Sequence, residues 1–232
     1  FMNTVAGACQ DQAVRQALAY GFDREAYIAS YYKLDDKDAK LAYVPGLFGN
    51  PVSGGNGAYV RGEEKVDGAT YYDYDVEKAK QILDDAGWTV GSDGIREKDG
   101  QKLSIKFLAT KEKDAMDTMI PMLQKQWGEL GVDFKANTME FNTVIATVSD
   151  DSAVGDWDVS YLGNSFTSPE DTSVDYFIQS QGVNNLARLK DDELELLKNV
   201  NTEIKNLNKD YKSLMEHTGN NTFSYTKLIK EI

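Results

Sequence analysis

Histidine occurs once in this sequence, at His217, and cysteine once, at Cys9. Ser-His-Asp or Cys-His catalysis would have to run through His217, which sits in the polar run HTGNN. Zinc sites draw on several Cys and His ligands, and one of each is too few. Carboxylates number 38. At that density, two neighbouring acids carry almost no information about general acid–base work. The run Asp35-Asp36-Lys37-Asp38 lacks the glycine and the distal glutamate of a calcium loop, and with Asp150-Asp151 it reads as solvated charge. The glycine-rich PGLFGNPVSGGNG lacks the spacing of a phosphate-binding loop and reads as a surface loop. These residues predict no enzyme, no metal site and no cofactor.

The segment SYLGNSFTSPED is the best candidate for ligand contact. It follows a predicted strand, WDVSYL, whose end falls at the carboxyl edge of a sheet. Open α/β sheets hold their ligands there. Tyr161, Asn164, Ser165, Phe166 and Thr167 combine ring contact with amide and hydroxyl hydrogen bonding. An ordinary strand-to-helix loop, with Ser168 or Asp171 capping the next helix, would look much the same.

The elements that position this segment are legible from periodicity and caps. Asp11 caps a helix that places Val14, Ala17, Leu18 and Ala19 on one side. Gly21 interrupts it, and Asp23 caps a second helix from Arg24 to Tyr32. Arg15 reads as a helix-surface residue whose stem covers apolar neighbours. Residues 34–70 form a long irregular loop with Pro45, Pro51 and many glycines. Asp75 caps the clearest helix, with Val76, Ala79, Ile82, Leu83 and Ala86 on one face. Gly87 suits its left-handed stop, and Trp88 can pack back on the last turn.

Lys98-Asp99-Gly100 signals a hairpin turn. Leu103, Ile105 and Phe107 alternate with polar residues, predicting a half-buried strand. Met116, Met119, Ile120, Leu123, Trp127 and Leu130 face inward on a helix that stops at Gly131, and they read as core. Pro121 should kink that helix or mark its first turn. Val132, Phe134 and Ala136 predict a strand, and Phe141 to Val148 a short helix. Asp171 to Gln181 and the charged tail 191–232 read as helical. Strands alternating with helices predict an α/β layer with a mostly parallel sheet.

Hydrophobic residues make up 41% and aromatics 11%, enough to bury a core. The net charge of −13 argues against non-specific nucleic-acid binding, which depends on basic patches. A single cysteine rules out an internal disulfide. Cys9 in TVAGACQDQ faintly resembles an acylation site, but no basic, apolar leader stands before it, so acylation is not the expected reading. No window holds the ~18 uninterrupted apolar residues of a membrane span.

The order of these segments resembles the extracellular solute-binding proteins of family 5, the peptide-, dipeptide- and nickel-binding receptors of ABC importers. DQAVRQALAYGFDREAYI is similar to the family's D-x-x-VRQAL-x-x-x-DR-x-x-I, preceded by an Asn-containing strand. YDVEKAKQILDDAGW is close to Y-D-x-x-KAK-x-LL-x-x-AGW. DGIREKDGQKLSIKFLAT fits the hairpin, MLQKQWGELGVDFK the helix–strand step and WDVSYLG the F-D-x-x-x-x-G strand. NNLARLKDDELELL fits loosely. The match runs from Phe1 to Leu197.

The resemblance implies a periplasmic-binding-protein-like (type II) lobe. Residues 1–232 would form one α/β lobe, the second of a two-lobe receptor. It implies a peptide or other small solute held at an inter-lobe cleft, and delivery to ABC permease subunits. It implies an extracytoplasmic, membrane-anchored full-length protein. Peptide binders of the family often carry G-W-x-x-D-Y after the FD strand, the acid pairing with the peptide amine. Here the run is Gly163-Asn164-Ser165-Phe166-Thr167, without the tryptophan or the acid. An alternative use of the same lobe is a surface interaction or adhesion module with no small ligand.

Overall fold

The computed structural model describes residues 1–35, 70–111, 113–162 and 188. The chain divides into two compact units. The first comprises Phe1–Tyr43, Tyr72–Asn164 and Leu186–Arg188, and nearly all described residues belong to it. The loop expected over 34–70 and the helices expected at 171–181 and in the tail lie almost entirely outside the described residues.

Two short helices open the unit: α1, Gln12–Tyr20, and α2, Arg24–Tyr32. Each begins at the predicted aspartate. Asp11 Oδ1 accepts from Ala13 N–H at 2.9 Å, and Asp23 Oδ1 from Ala26 N–H at 2.8 Å. Helix α3, Val76–Asp85, starts the same way, Asp75 Oδ1 accepting from Lys78 N–H at 2.9 Å. It ends as the glycine predicts. Gly87 sits at φ 85°, and the Gly87 and Trp88 N–H groups close back on the Asp84 and Leu83 carbonyls, both at 2.9 Å. That double closure satisfies carbonyls that a helix end leaves bare.

Strands β1, Thr89–Val90, β2, Arg96–Lys98, and β3, Gln101–Lys102, form an antiparallel meander. Its second turn has Asp99 at φ 51° and Gly100 at φ 78°. Two successive positive φ values are what a two-residue hairpin turn requires. Strand β4, Ser104–Thr110, then enters a separate sheet. Helix α4, Asp114–Gly128, returns the chain to β5, Asp133–Met139, and helix α5, Phe141–Ser149, leads toward β6, Val159–Ser160. The order is β5-β4-β6, and both pairings are parallel.

Three expectations change in detail. Strand β4 is not half-buried. Ile105, Phe107 and Ala109 join the core with α1, α3 and α4, while Leu108 is covered from the other face by Val144 and Val148 of α5 and by Trp157. A helix on each face is the reason alternation fades along this strand. Pro121 lies inside α4 rather than in its first turn. Ala136 of β5 is exposed; among the described residues β5 lies at one edge of its sheet, and its middle residues are exposed.

Buried polar groups fasten the start of the unit to β6. Met2 pairs antiparallel with Val159, and the Ser160 N–H donates to the Phe1 carbonyl at 2.8 Å. Asn3 is fully buried and fully used. Its Nδ2 donates to the Val154 and Trp157 carbonyls at 2.7 and 3.0 Å, and its Oδ1 accepts from Val5 and Ala6 N–H. Asp158, 1% exposed, accepts from Ala8 N–H at 3.0 Å and Lys106 N–H at 2.8 Å. The asparagine and the aspartate of the sequence motifs are thus architectural.

Arg15 is more than a surface residue. Its Nη1 donates to the Cys9 and Gln10 carbonyls at 2.8 and 3.0 Å, closing the 3₁₀ turn Ala8–Gln10. Cys9 itself is 0% exposed, and burial pushes its thiol up to about 12, with the Asp158 charge adding to the effect. A thiol so placed is inert.

Candidate functional site

Parallel strands bring their carboxyl ends to one edge. Tyr161 is the first residue beyond β6, and its N–H continues the ladder to the Leu108 carbonyl at 3.0 Å. It is 36% exposed. Beside it opens a pocket of about 370 Å³. That volume lies within the ~300–1,000 Å³ usual for small-ligand sites.

The walls are drawn from well-separated parts of the chain. Leu18 and Ala19 stand at the end of α1, and Phe22 at the α1–α2 junction. Met119, Leu123 and Trp127 form a stripe on α4, Phe107 lies on β4, and Val159, Ser160 and Tyr161 close the β6 side. The Trp127 ring is held in place by its Nε1, which donates to the Leu18 carbonyl at 3.1 Å, and by an edge contact with Phe134. Met119, Leu123 and Trp127 belong to the core, as their spacing predicts, and also present a side to the pocket.

Among the described lining residues, Arg24 carries the sole charged side chain. Its guanidinium donates to the Tyr72 carbonyl. Tyr72 in turn meets Tyr20 edge-on, centroids 4.9 Å apart. From Phe22 a row of rings runs along α2: Phe22 to Tyr27 at 5.9 Å, then Tyr27 stacked on Tyr31 at 5.8 Å. Burial pushes the Tyr27 phenol up to about 12, with Tyr161, Tyr31 and Tyr32 adding to it. Tyr27 is therefore a neutral hydroxyl at any working pH. The site is an apolar chamber with a tyrosine rim. It can bind; it carries no nucleophile–base pair among the described lining residues.

Of the predicted contact residues, Tyr161 lines this pocket. Asn164, Ser165, Phe166 and Thr167 lie outside the described residues. Sequence reasoning missed Phe22, Arg24 and Tyr72. The Gly21-Phe22-Asp23 junction, where a bulky ring is stranded between two helices, could have pointed to Phe22 and its neighbour Arg24, while no local signal points to Tyr72.

Comparison with known proteins agrees with this architecture. The family model for bacterial extracellular solute-binding proteins, family 5 middle, matches residues 1–185. The oligopeptide-binding protein AppA of Bacillus subtilis is 28% identical over 173 residues, covering 74% of this chain and 29% of the relative. The oligopeptide-binding protein OppA of Lactococcus lactis subsp. cremoris is 30% identical over 155 residues, covering 65% of this chain and 24% of the relative. This chain thus spans under a third of the length of those relatives. A solved structure of Bacillus subtilis AppA in complex with a nonapeptide superposes with a TM-score of 0.66 at 24% identity, over 91% of this chain and 40% of that one. The fold is that of a type II periplasmic-binding-protein lobe.

Proposed function

The chain belongs to the bacterial extracellular solute-binding proteins of family 5, and from that premise we propose that it is the second lobe of an ABC-importer receptor that captures peptides at an inter-lobe cleft. Proteins of this family are binding receptors rather than enzymes, and the family is extracellular. On this reading residues 1–232 form one lobe, with 34–70 as its long loop and 191–232 as a charged helical tail. The first lobe of the same receptor closes over the ligand, and permease subunits receive it. The full-length protein is anchored at the outer face of the membrane.

One observation carries the reading: the tyrosine-rimmed apolar pocket opens beside Tyr161, at the carboxyl end of β6. Side chains of peptides are the ligands such a surface suits, since they offer apolar bodies on a hydrogen-bonding backbone. Asn164 to Thr167 follow directly and supply amide and hydroxyl groups for that backbone.

The test uses the two-lobe receptor that contains this chain. Ligands that co-purify with it are released by denaturation and identified by mass spectrometry. The emptied receptor is then titrated with an oligopeptide mixture. Peptides in the released fraction and saturable peptide binding are expected. Release of metal chelates alone, or no saturable ligand at all, overturns the reading, the latter in favour of an interaction module.

A further inference from the structure

We propose that the pocket beside Tyr161 is a specificity subsite that accepts one bulky apolar side chain of a peptide, aromatic or long aliphatic, and rejects a cationic one. The inference rests on the peptide-receptor reading and adds a preference to it.

Three observations lead there. The first is size. A cavity of about 150 Å³ lined by Leu, Ile and Phe already holds a benzene molecule. At about 370 Å³ this pocket takes a whole phenylalanine or leucine side chain, with room for the adjoining backbone. The second is wall chemistry. Leu18, Phe107, Met119, Leu123 and Trp127 offer methyls, thioether and ring faces. Methionine adapts to irregular apolar shapes, and ring pairs favour edge or offset contact.

The third observation is charge. The chain carries −13 overall, yet no acid is found among the described lining residues, and the one charged side chain there is Arg24. A lysine or arginine entering would lose its water beside a like charge, with no acid among the described lining residues to pair with it. The acidic surface attracts cationic peptides; the pocket excludes their cationic side chains. The tyrosine row from Phe22 through Tyr27 to Tyr31 extends the apolar wall outward, where a neighbouring residue of the same peptide can lie.

The 232-residue chain itself is titrated with N-acetyl-phenylalaninamide, N-acetyl-leucinamide, N-acetyl-glycinamide and N-acetyl-lysinamide. The reporters are the Trp127 indole N–H and the Met119 methyl by NMR. Trp88 and Trp157, which do not line the pocket, report on the fold. Saturable Trp127 shifts with the phenylalanine and leucine probes are expected, with midpoints at least about tenfold lower than for glycine or lysine. Ala19→Phe, which fills the pocket from α1, should abolish the Trp127 response while the Trp88 and Trp157 signals stay in place. Absence of a Trp127 shift with the phenylalanine probe overturns the inference, as does an equal response to lysine. The two readings fail separately. A two-lobe receptor that captures peptides with no preference for a bulky apolar residue overturns the subsite alone. A selective Trp127 response in a chain whose two-lobe receptor captures no peptide overturns the receptor reading alone.

Discussion

Asp11 holds three donors at once. Its carboxylate takes the Ala13 N–H, the Trp88 indole at 3.0 Å and the Lys98 ammonium at 3.0 Å, so it joins α1 to the end of α3 and to the meander. Burial alone would raise this carboxyl. The bonds from Lys98, Trp88 and Ala13, with the Lys98 charge, hold it below the usual carboxylate range. A depressed folded value means its stabilisation is present above the unfolded value and is lost as pH falls through the folded one. Asp158 has the opposite sign. Burial raises it, against the opposing pull of Lys106 and the backbone N–H groups, so its stabilisation is present at low pH and is lost as pH rises through its folded value. Thermal melts of Lys98→Met should therefore show a deficit that is largest near neutrality and shrinks toward about pH 3. A deficit independent of pH would mean that Lys98 acts by packing instead. Ser160 gives a second residue-scale expectation. It is 1% exposed, and its Oγ has no hydrogen-bond partner among the described residues. Ser160→Ala should leave stability unchanged or raise it by up to about 1 kcal/mol, because a desolvated hydroxyl is removed with no bond lost. A fall in melting temperature would reveal a hidden partner.

At the scale of elements, α2 is the informative case. None of its nine residues is buried, so it has little core burial to hold it and depends on its ends and its ring contacts. Asp23→Ala removes the cap bond to Ala26 and should cost about 1 kcal/mol. In a chain of this size that is roughly 2–4 °C in melting temperature. An unchanged melt would show that the cap contributes nothing. Caps and turns of this kind were legible in the sequence because they are local. Asp11, Asp23, Asp75, Gly87 and the Asp99-Gly100 turn each act within a few residues of themselves. Arg96 was not legible. It lies on β2, yet it is 3% exposed, donating to the Leu130 carbonyl at 2.7 Å, to the Trp88 carbonyl and to Asp84. Its partners arrive from the ends of α3 and α4, and no local pattern announces them. The second face of β4 escaped for the same reason, since its cover comes from α5.

At the scale of the whole molecule, the pocket was the least legible part, because its walls are drawn from Leu18, Phe107, Trp127 and Tyr161, which only the fold brings together. Tyr161 was singled out by a rule of topology, that open sheets hold ligands at their carboxyl edge, rather than by any one motif, and the fold places it on the pocket wall. On the two-lobe reading this chain presents half a cleft. Calorimetry of the isolated chain against free oligopeptides should therefore show no tight binding, since closure by the other lobe supplies the remaining burial. Nanomolar affinity in the isolated chain would mean that the site is complete without a second lobe.

The pairing of Met2 and Asn3 with the stretch at Trp157–Val159 has a consequence in time. Asn3 finds two of its partners 151 and 154 residues later. During synthesis at about 5–20 residues per second, the segment at Asn3 waits roughly eight to thirty seconds before the groups that satisfy it exist. Closure of that pair is one of the non-local steps in the assembly of this unit, and local elements such as α3 with its double-closed end can form without waiting for it. A chain released before Trp157 would keep its helices and leave Asn3 without partners, a state open to premature pairing with another copy.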